Sequence, residues 1–247
     1  PMQITFLGAE DQADRELLLE CGVLDIGVNF FDLGAQQRTA LLKVPDEVRI
    51  HLYAGNPPSQ VSDTQIHDLV EAYESYIEQH ADRLYSWSEV RAPGVDVAHR
   101  RKEFYDRFDA FRFRPVHNEA NSMFDLEGLA DAYPHVLLTR EAVSVLRESL
   151  DHDKSEDPLL ALSVEYGAVF HAMGMHRAKR RHYNFATVAT AMWQAPRRFG
   201  QPVIWDGKKL TRHTVDVREE VLDKHYARIK AYGLSADDIV GGDKKEG

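Results

Sequence analysis

A single cysteine, Cys21, among 247 residues excludes an internal disulfide and any cysteine-cluster zinc site. It sits at the end of a helical stretch, before Gly22, a place for apolar packing more than for a nucleophile. Such sparing use of cysteine suits a reducing compartment, so a cytoplasmic location is expected. No apolar run approaches the roughly 20 residues needed to cross a bilayer, so no membrane partner is expected. The opening Gln3-Ile4-Thr5-Phe6-Leu7 is too short for a signal peptide and leads straight into acidic residues. There is no Gly-x-Gly-x-x-Gly or Walker-type loop and no Gly-x-Ser-x-Gly elbow. No nucleotide or other cofactor is therefore expected. Basic residues are in deficit: 30 Lys and Arg stand against 40 Asp and Glu, a net charge of −10. That balance repels a phosphate backbone at long range and argues against broad nucleic-acid binding. Two local basic groups remain: Arg177, Lys179, Arg180 and Arg181 with Arg197 and Arg198, and Arg100-Arg101-Lys102. The first leaves a nucleic-acid face open; solvated surface residues are the plain alternative.

What the chain has is alternation. Strand-like runs cover Met2–Leu7, Val23–Phe31, Val48–Tyr53, Leu84–Val90, Phe111–Val116 and Val136–Thr139, then one from Ala168 and one within Asn184–Trp193. Helical stretches fall between them. The clearest starts at Asp63, where Ile66, Leu69, Val70, Tyr73, Tyr76 and Ile77 recur at three- and four-residue spacing. Others are Ala13–Cys21, Val97–Phe108, Leu126–Tyr133, Arg140–Leu150 and one from Leu159, stopped by Gly167. Residues 33–45 form a connection of undefined kind. Eight strands alternating with helices within one domain length imply a parallel sheet, and the count suggests a (β/α)8 barrel over residues 1–240. A small hairpin with Asp206-Gly207 at its turn and a closing helix, Arg218–Ala231, would follow, then a disordered tail at 241–247. A doubly wound open sheet is the competing architecture.

In a barrel, the residues just past each strand converge on one mouth. That rule collects Glu10, Asp11, Asn29, Asp32, Asn56, Glu89, the His117-Asn118-Glu119 group, Thr139, Arg140, His171 to His176 and Thr187 to Trp193. Acids, amides and histidines in this mixture suit a purine-like ring. Glu89, in an apolar strand after Trp87, needs a partner or a raised pKa. His171 is as suited to a satisfied core position as to a ligand contact, and Met173 to core filling. His117, Glu119, His171 and His176 are metal-ligand types but have no His-Glu-x-x-His spacing, so no metal site is expected.

Four short motifs add a resemblance: Phe6-Leu7-Gly8-Ala9-Glu10, His171-Ala172-Met173-Gly174, Phe185 to Trp193 with Pro196-Arg197-Arg198, and Trp205-Asp206-Gly207. In this order they resemble the tRNA-guanine transglycosylase superfamily (queuine tRNA-ribosyltransferases). They are most like the shorter phage and bacterial members that insert 7-deazaguanines into DNA. The resemblance implies a (β/α)8 barrel that exchanges a guanine base through a covalent sugar–aspartate intermediate, with a second aspartate as acid/base. This chain has Tyr53-Ala54-Gly55-Asn56 where the family has Asp-Ser-Gly, and no carboxylate in Thr187 to Ala191. The exchange would then fall to Glu89 and Glu10 as the carboxylate pair, or to Glu119. Asn29, His117, Asn118, Glu119, His171, Met173, Gly174 and Trp193 would hold the base. A second reading is open beside it, a barrel kept for binding or assembly without turnover. Homo-oligomerisation, through the closing helix, is left open.

Overall fold

The computed structural model describes residues 3–150, 157–174, 184–194, 203–205 and 210–212. Its strands are β1 (Gln3–Leu7), β2 (Asp25–Asn29), β3 (Arg49–Tyr53), β4 (Ser86–Ser88), β5 (Phe113–Arg114), β6 (Val116–His117), β7 (His135–Leu138), β8 (Val169–Met173) and β9 (Phe185–Thr190). They form one sheet in the order β5-β4-β3-β2-β1-β9-β8-β7-β6, every pairing parallel. The two ends of that order, β5 and β6, are joined through Pro115. They are one stave, so the sheet is a nearly closed α/β barrel of eight staves with helices outside.

Pro115 explains the break. Proline has no N–H to give to a ladder, so the regular pairing is interrupted there. The backbone direction nonetheless persists. Carbonyls of Arg112 and Arg114 accept from Trp87 and Glu89, while those of Pro115 and His117 accept from Leu137 and Thr139. One stave therefore bonds to β4 on one side and β7 on the other.

The helices are α1 (Gln12–Glu20), α2 (Ala35–Leu41), α3 (Asp63–His80), α4 (Val97–Glu103), α5 (Met123–Ala132), α6 (Arg140–Leu150) and α7 (Pro158–Tyr166). Most begin on a side chain that accepts an otherwise orphaned N–H. Ser62 and Ser122 form capping boxes with Gln65 and Asp125; Asp11, Asp96 and Asp157 cap α1, α4 and α7. Gly167 ends α7 in the left-handed conformation at φ 72°, where a Cβ would be strained. The expected helix over Val97–Phe108 stops at Glu103 and continues as a 3-10 turn, Tyr105–Arg107. Phe104 and Tyr105 turn inward there, and Tyr105 stacks on Phe113. The connection at 33–45 contains α2.

Two apolar shells lie between sheet and helices. One joins β1 to β5 with α1 to α4, around Ile26, Ile50, Tyr73, Trp87 and Phe113. The other joins β7 to β9 with α5 to α7, around Leu126, Val136, Leu159 and Phe170. A third, small cluster of Leu7, Tyr53, Val116, Leu137 and Ala189 lies inside the barrel. The expected hairpin is present as Val203–Trp205 paired antiparallel with Leu210–Arg212. The closing helix, the tail and the basic residues from Arg177 to Arg181 and at Arg197 and Arg198 lie outside the described residues. No helix among the described residues is long and apolar enough to cross a membrane.

Gly27 makes the interior possible. A Cβ there would stand 3.1 Å from Thr5 Cγ2, 3.1 Å from Tyr53 Cε2 and 3.2 Å from Leu7 Cδ1. Gly27→Ala is expected to destabilise the fold by about 1–3 kcal/mol through overpacking. Gly128→Ala, on the exposed side of α5 with nothing within 4 Å of the new Cβ, should stabilise it by about 0.5–1 kcal/mol. Urea denaturation of both variants tests the contrast; equal effects would contradict it.

Candidate functional site at the barrel mouth

The loop after β1 is the most firmly built part of the mouth. Gly8 and Ala9 donate their N–H groups to the Gly27 carbonyl at 3.0 and 3.1 Å. Arg15, buried on α1, donates to the carbonyls of Ala9 and Glu10 at 3.0 and 2.7 Å and to Gln37 at 2.7 Å. Gln194 Nε2 reaches the Gly8 carbonyl at 2.7 Å and Asp14 at 3.1 Å. Gly8 has φ +100°, and a Cβ there would overlap Gln194. The sequence Leu7-Gly8-Ala9-Glu10 thus places one carboxylate at the mouth with little freedom.

Glu10 meets β2 there. Its Oε1 accepts the Asn29 N–H at 2.8 Å. The Asn29 side chain shares the inward face of β2 with Gly27, and its Oδ1 is buried with no hydrogen-bond partner. Gly55, at φ +80°, lets the chain after β3 pass close by, since a Cβ would lie 3.0 Å from Asn29 Cβ. Beneath Asn29 is the apolar cluster of Leu7, Tyr53, Val116, Leu137 and Ala189, with Met173 and Ala191 packed against it. Gly174 follows at φ +67°, donating its N–H to the Ala189 carbonyl at 2.8 Å, with Arg140 alongside.

Other expected site residues sit elsewhere. Glu89 faces α4, away from the barrel axis. Its carboxylate pairs with Arg101 through two bonds of 2.6 and 2.7 Å, and Arg91 lies 3.5 Å away. Its Oε1 also accepts the Val116 N–H at 2.7 Å. Glu89 and Glu10 thus do not face one another as a pair. His117 alternates with inward Val116 and so faces the helices, beside Arg91 and Asp125, its Nδ1 unpartnered. Asn118 Oδ1 accepts from Ala120 N–H at 3.1 Å, closing the loop it belongs to, and Glu119 is exposed. Trp193 is buried in the outer shell, its indole N–H on the Leu7 carbonyl at 2.8 Å. His171 lies inside the barrel, deeper than the mouth. Among the described residues the only cluster of metal-ligand type is His67, Asp68 and Glu71, exposed on α3 and far in sequence from the expected ligands.

Below the apolar layer the interior turns polar. His171 Nε2 meets His135 Nδ1 at 2.8 Å, the two rings stacked, and His171 Nδ1 meets Thr187 Oγ1 at 2.7 Å. His51 bridges Ser86 at 2.8 Å and Asp25 at 2.9 Å, and Arg49 holds Asp25 by a second pair of bonds of 2.5 and 2.7 Å. Arg114 is among them, only 3% exposed. The signal was available: Arg49, His51 and Tyr53, Ser86 and Ser88, or Arg112 and Arg114 are polar at every second position of a strand.

Burial pushes His51 down to about 4, with Arg114 adding to the effect, and does the same to His135. His171 is held well below its ordinary value by burial, then by Arg114 and His135. Burial alone would raise Asp25, but hydrogen bonds from His51 and Arg49 outweigh it and bring the carboxyl to about 2.

Two solved structures share the architecture. A chain of the tryptophan synthase complex from Pyrococcus furiosus aligns with TM-score 0.50 and 11% identity, over 94% of this chain and 98% of that one. The 3-dehydroquinate dehydratase from Geobacillus kaustophilus HTA426 aligns with TM-score 0.50 and 10% identity, over 95% and 93%. No family model and no curated protein matches the sequence. At such identities the likeness gives the α/β barrel alone, and it adds nothing to the resemblance to the tRNA-guanine transglycosylases.

The interior makes the barrel acid-labile. Its histidines have folded pKa values below the roughly 6.5 of an unfolded chain, so the unfolded state takes up protons first as pH falls. Stability present above pH of about 6.5 should drain away toward about 4, on the order of 3 kcal/mol from buried His51 alone. Asp25 extends the loss from its ordinary 3.8 down to about 2. Urea midpoints measured between pH 7 and pH 4 should fall steadily; a flat profile would contradict the neutral, buried assignment.

Proposed function

We propose that the barrel mouth binds a flat polar heterocycle of the nucleobase class, free or as a nucleoside. The observation that carries this reading is the buried, unpartnered Oδ1 of Asn29 beside the Glu10 carboxylate. A buried acceptor without a partner costs stability, and such costs concentrate where a ligand supplies the missing donor. An amide presents an acceptor next to a donor, the pattern that reads the edge of a base. Leu7, Tyr53, Val116, Leu137 and Ala189 provide an apolar floor under it, the usual lining of a small-molecule site.

Base exchange of the transglycosylase kind is the finer form of this proposal, with guanine or a 7-deazaguanine as the base. It would rest on Glu10 as the carboxylate at the mouth. A second reading, binding without turnover, is favoured by the engagement of Glu89 with Arg101. The net charge of −10 favours a free base or nucleoside over a nucleic acid.

Calorimetric titration with guanine, adenine and 7-deazaguanine tests the binding reading. At least one base should bind, and Asn29→Ala should weaken it by about tenfold, the effect of one buried hydrogen bond. The lost acceptor has no partner in the free protein, so the substitution should change the melting temperature much less than it changes binding. Absence of binding by all three bases would overturn the reading. Offered alongside DNA or tRNA, labelled base incorporated by wild type but not by Glu10→Gln would establish exchange.

A further inference from the structure

Outside the barrel wall, a cavity of about 710 Å3 lies between α3 and α4, sharing no residue with the mouth. One face of α3 lines it from end to end. Asp63, His67, Glu71 and Ser75 recur at every fourth residue, with Ile66, Val70, Glu74 and Glu78 in the row beside them. The helical rise from Asp63 to Glu78 makes the cavity about 22 Å long, a trough more than a compact pocket. Its other wall is the loop from Pro93 to Asp96, then His99, Arg100 and Phe104.

The floor is apolar and the sides are acidic. Ile66, Val70 and Phe104 are buried at the base, and Val95 is half-buried. Five carboxylates, Asp63, Glu71, Glu74, Glu78 and Asp96, line the trough against one guanidinium, Arg100. Arg100 is committed to Glu74 and donates to both of its oxygens. Arg107 reaches Glu78 from outside at 3.5 Å, both side chains more than half exposed. Asp96 accepts the His99 N–H at 3.1 Å as the cap of α4. Among the described residues Asp63, Glu71 and Asp96 form no ion pair. Asp63 and Glu71 stand about 12 Å apart along the trough, with Ile66 and Val70 between them.

That combination selects among cations. A compact hydrated ion gains nothing from an apolar floor, although His67, Asp68 and Glu71 on the rim could hold one. A basic peptide would bring N–H and C=O groups that neither helix can satisfy, because their own ladders use theirs. A linear aliphatic polyamine carries ammonium groups separated by methylene runs and has no amide. Its charges meet the acids along the sides while its methylenes cover Ile66, Val70 and Phe104.

We propose that the trough between α3 and α4 binds one linear aliphatic polyamine per chain. The site is independent of the base-binding mouth.

Calorimetric titration of the whole chain with spermidine at physiological salt tests this. A saturable isotherm with one site per chain is expected. Glu71→Gln and Asp63→Asn, both at exposed positions, should each weaken binding about threefold and together about tenfold, the scale of exposed ion pairs. Asp131→Asn, an exposed acid on α5 outside the trough, should leave it unchanged. Hexamminecobalt(III), compact and of the same charge as spermidine, should bind about tenfold more weakly because it cannot cover the floor. The proposal is overturned if spermidine does not bind or if Asp131→Asn weakens it as much as Glu71→Gln. Binding of hexamminecobalt(III), magnesium or tetralysine as tight as that of spermidine would also overturn it.

Discussion

The barrel depends on how one stave passes a proline. Between Arg114 and Val116 the ladder loses a donor, and the sheet closes only if that stave still grips both neighbours. On the β7 side the main chain suffices, through the carbonyls of Pro115 and His117. On the β4 side, past Ser88, a side chain takes over. Glu89 accepts the Val116 N–H and is itself fixed by two bonds from Arg101 on α4. The carboxylate is fully buried, so its charge must be answered on the spot, and Arg101 with Arg91 answers it. One acidic group thereby couples two staves and a helix. Removing one partner of such a buried pair typically costs about 3–5 kcal/mol.

This arrangement separates support from chemistry. Polar groups on the helix side of the wall, Glu89 with Arg91 and Arg101, hold the shell together where β4 meets the β5–β6 stave. Polar groups inside form a middle layer of histidines, Asp25 and Arg114. Among the described residues, the loop after β1 and the end of β2 bring polar atoms to the mouth, where Asn29 Oδ1 has no partner. The grip of Arg15 and Gln194 on that loop is what keeps Glu10 beside it.

Much of the architecture was legible in the sequence because it rests on periodicity. The apolar recurrence from Ile66 to Ile77 marks α3, and Gly167 marks the joint between α7 and β8. The site was less legible. Proximity to a strand end places a residue near the mouth, but side-chain direction decides which face it serves. Glu89 and His117 both follow apolar strands, and both point to the helices. The partners of Glu89 are the adjacent Arg91 and the distant Arg101, and the role of Arg101 depends on how α4 packs, which spacing does not encode. Trp193 likewise reads as a mouth residue by position, yet its indole is committed to the Leu7 carbonyl. The interior polar layer was encoded by alternation in β3, β4 and β5, and needed only the strand period to be applied to polar as well as apolar residues.

The central claim, that Glu89 closes the barrel, is tested most directly by amide hydrogen exchange at Val116. In the wild type this N–H should be protected as strongly as the amides of β2 and β3. In Glu89→Ala that protection should collapse while β2 and β3 keep theirs relative to global stability. Exchange of the wild-type Val116 amide at the rate of an exposed loop, or unaltered protection in Glu89→Ala, would contradict the account.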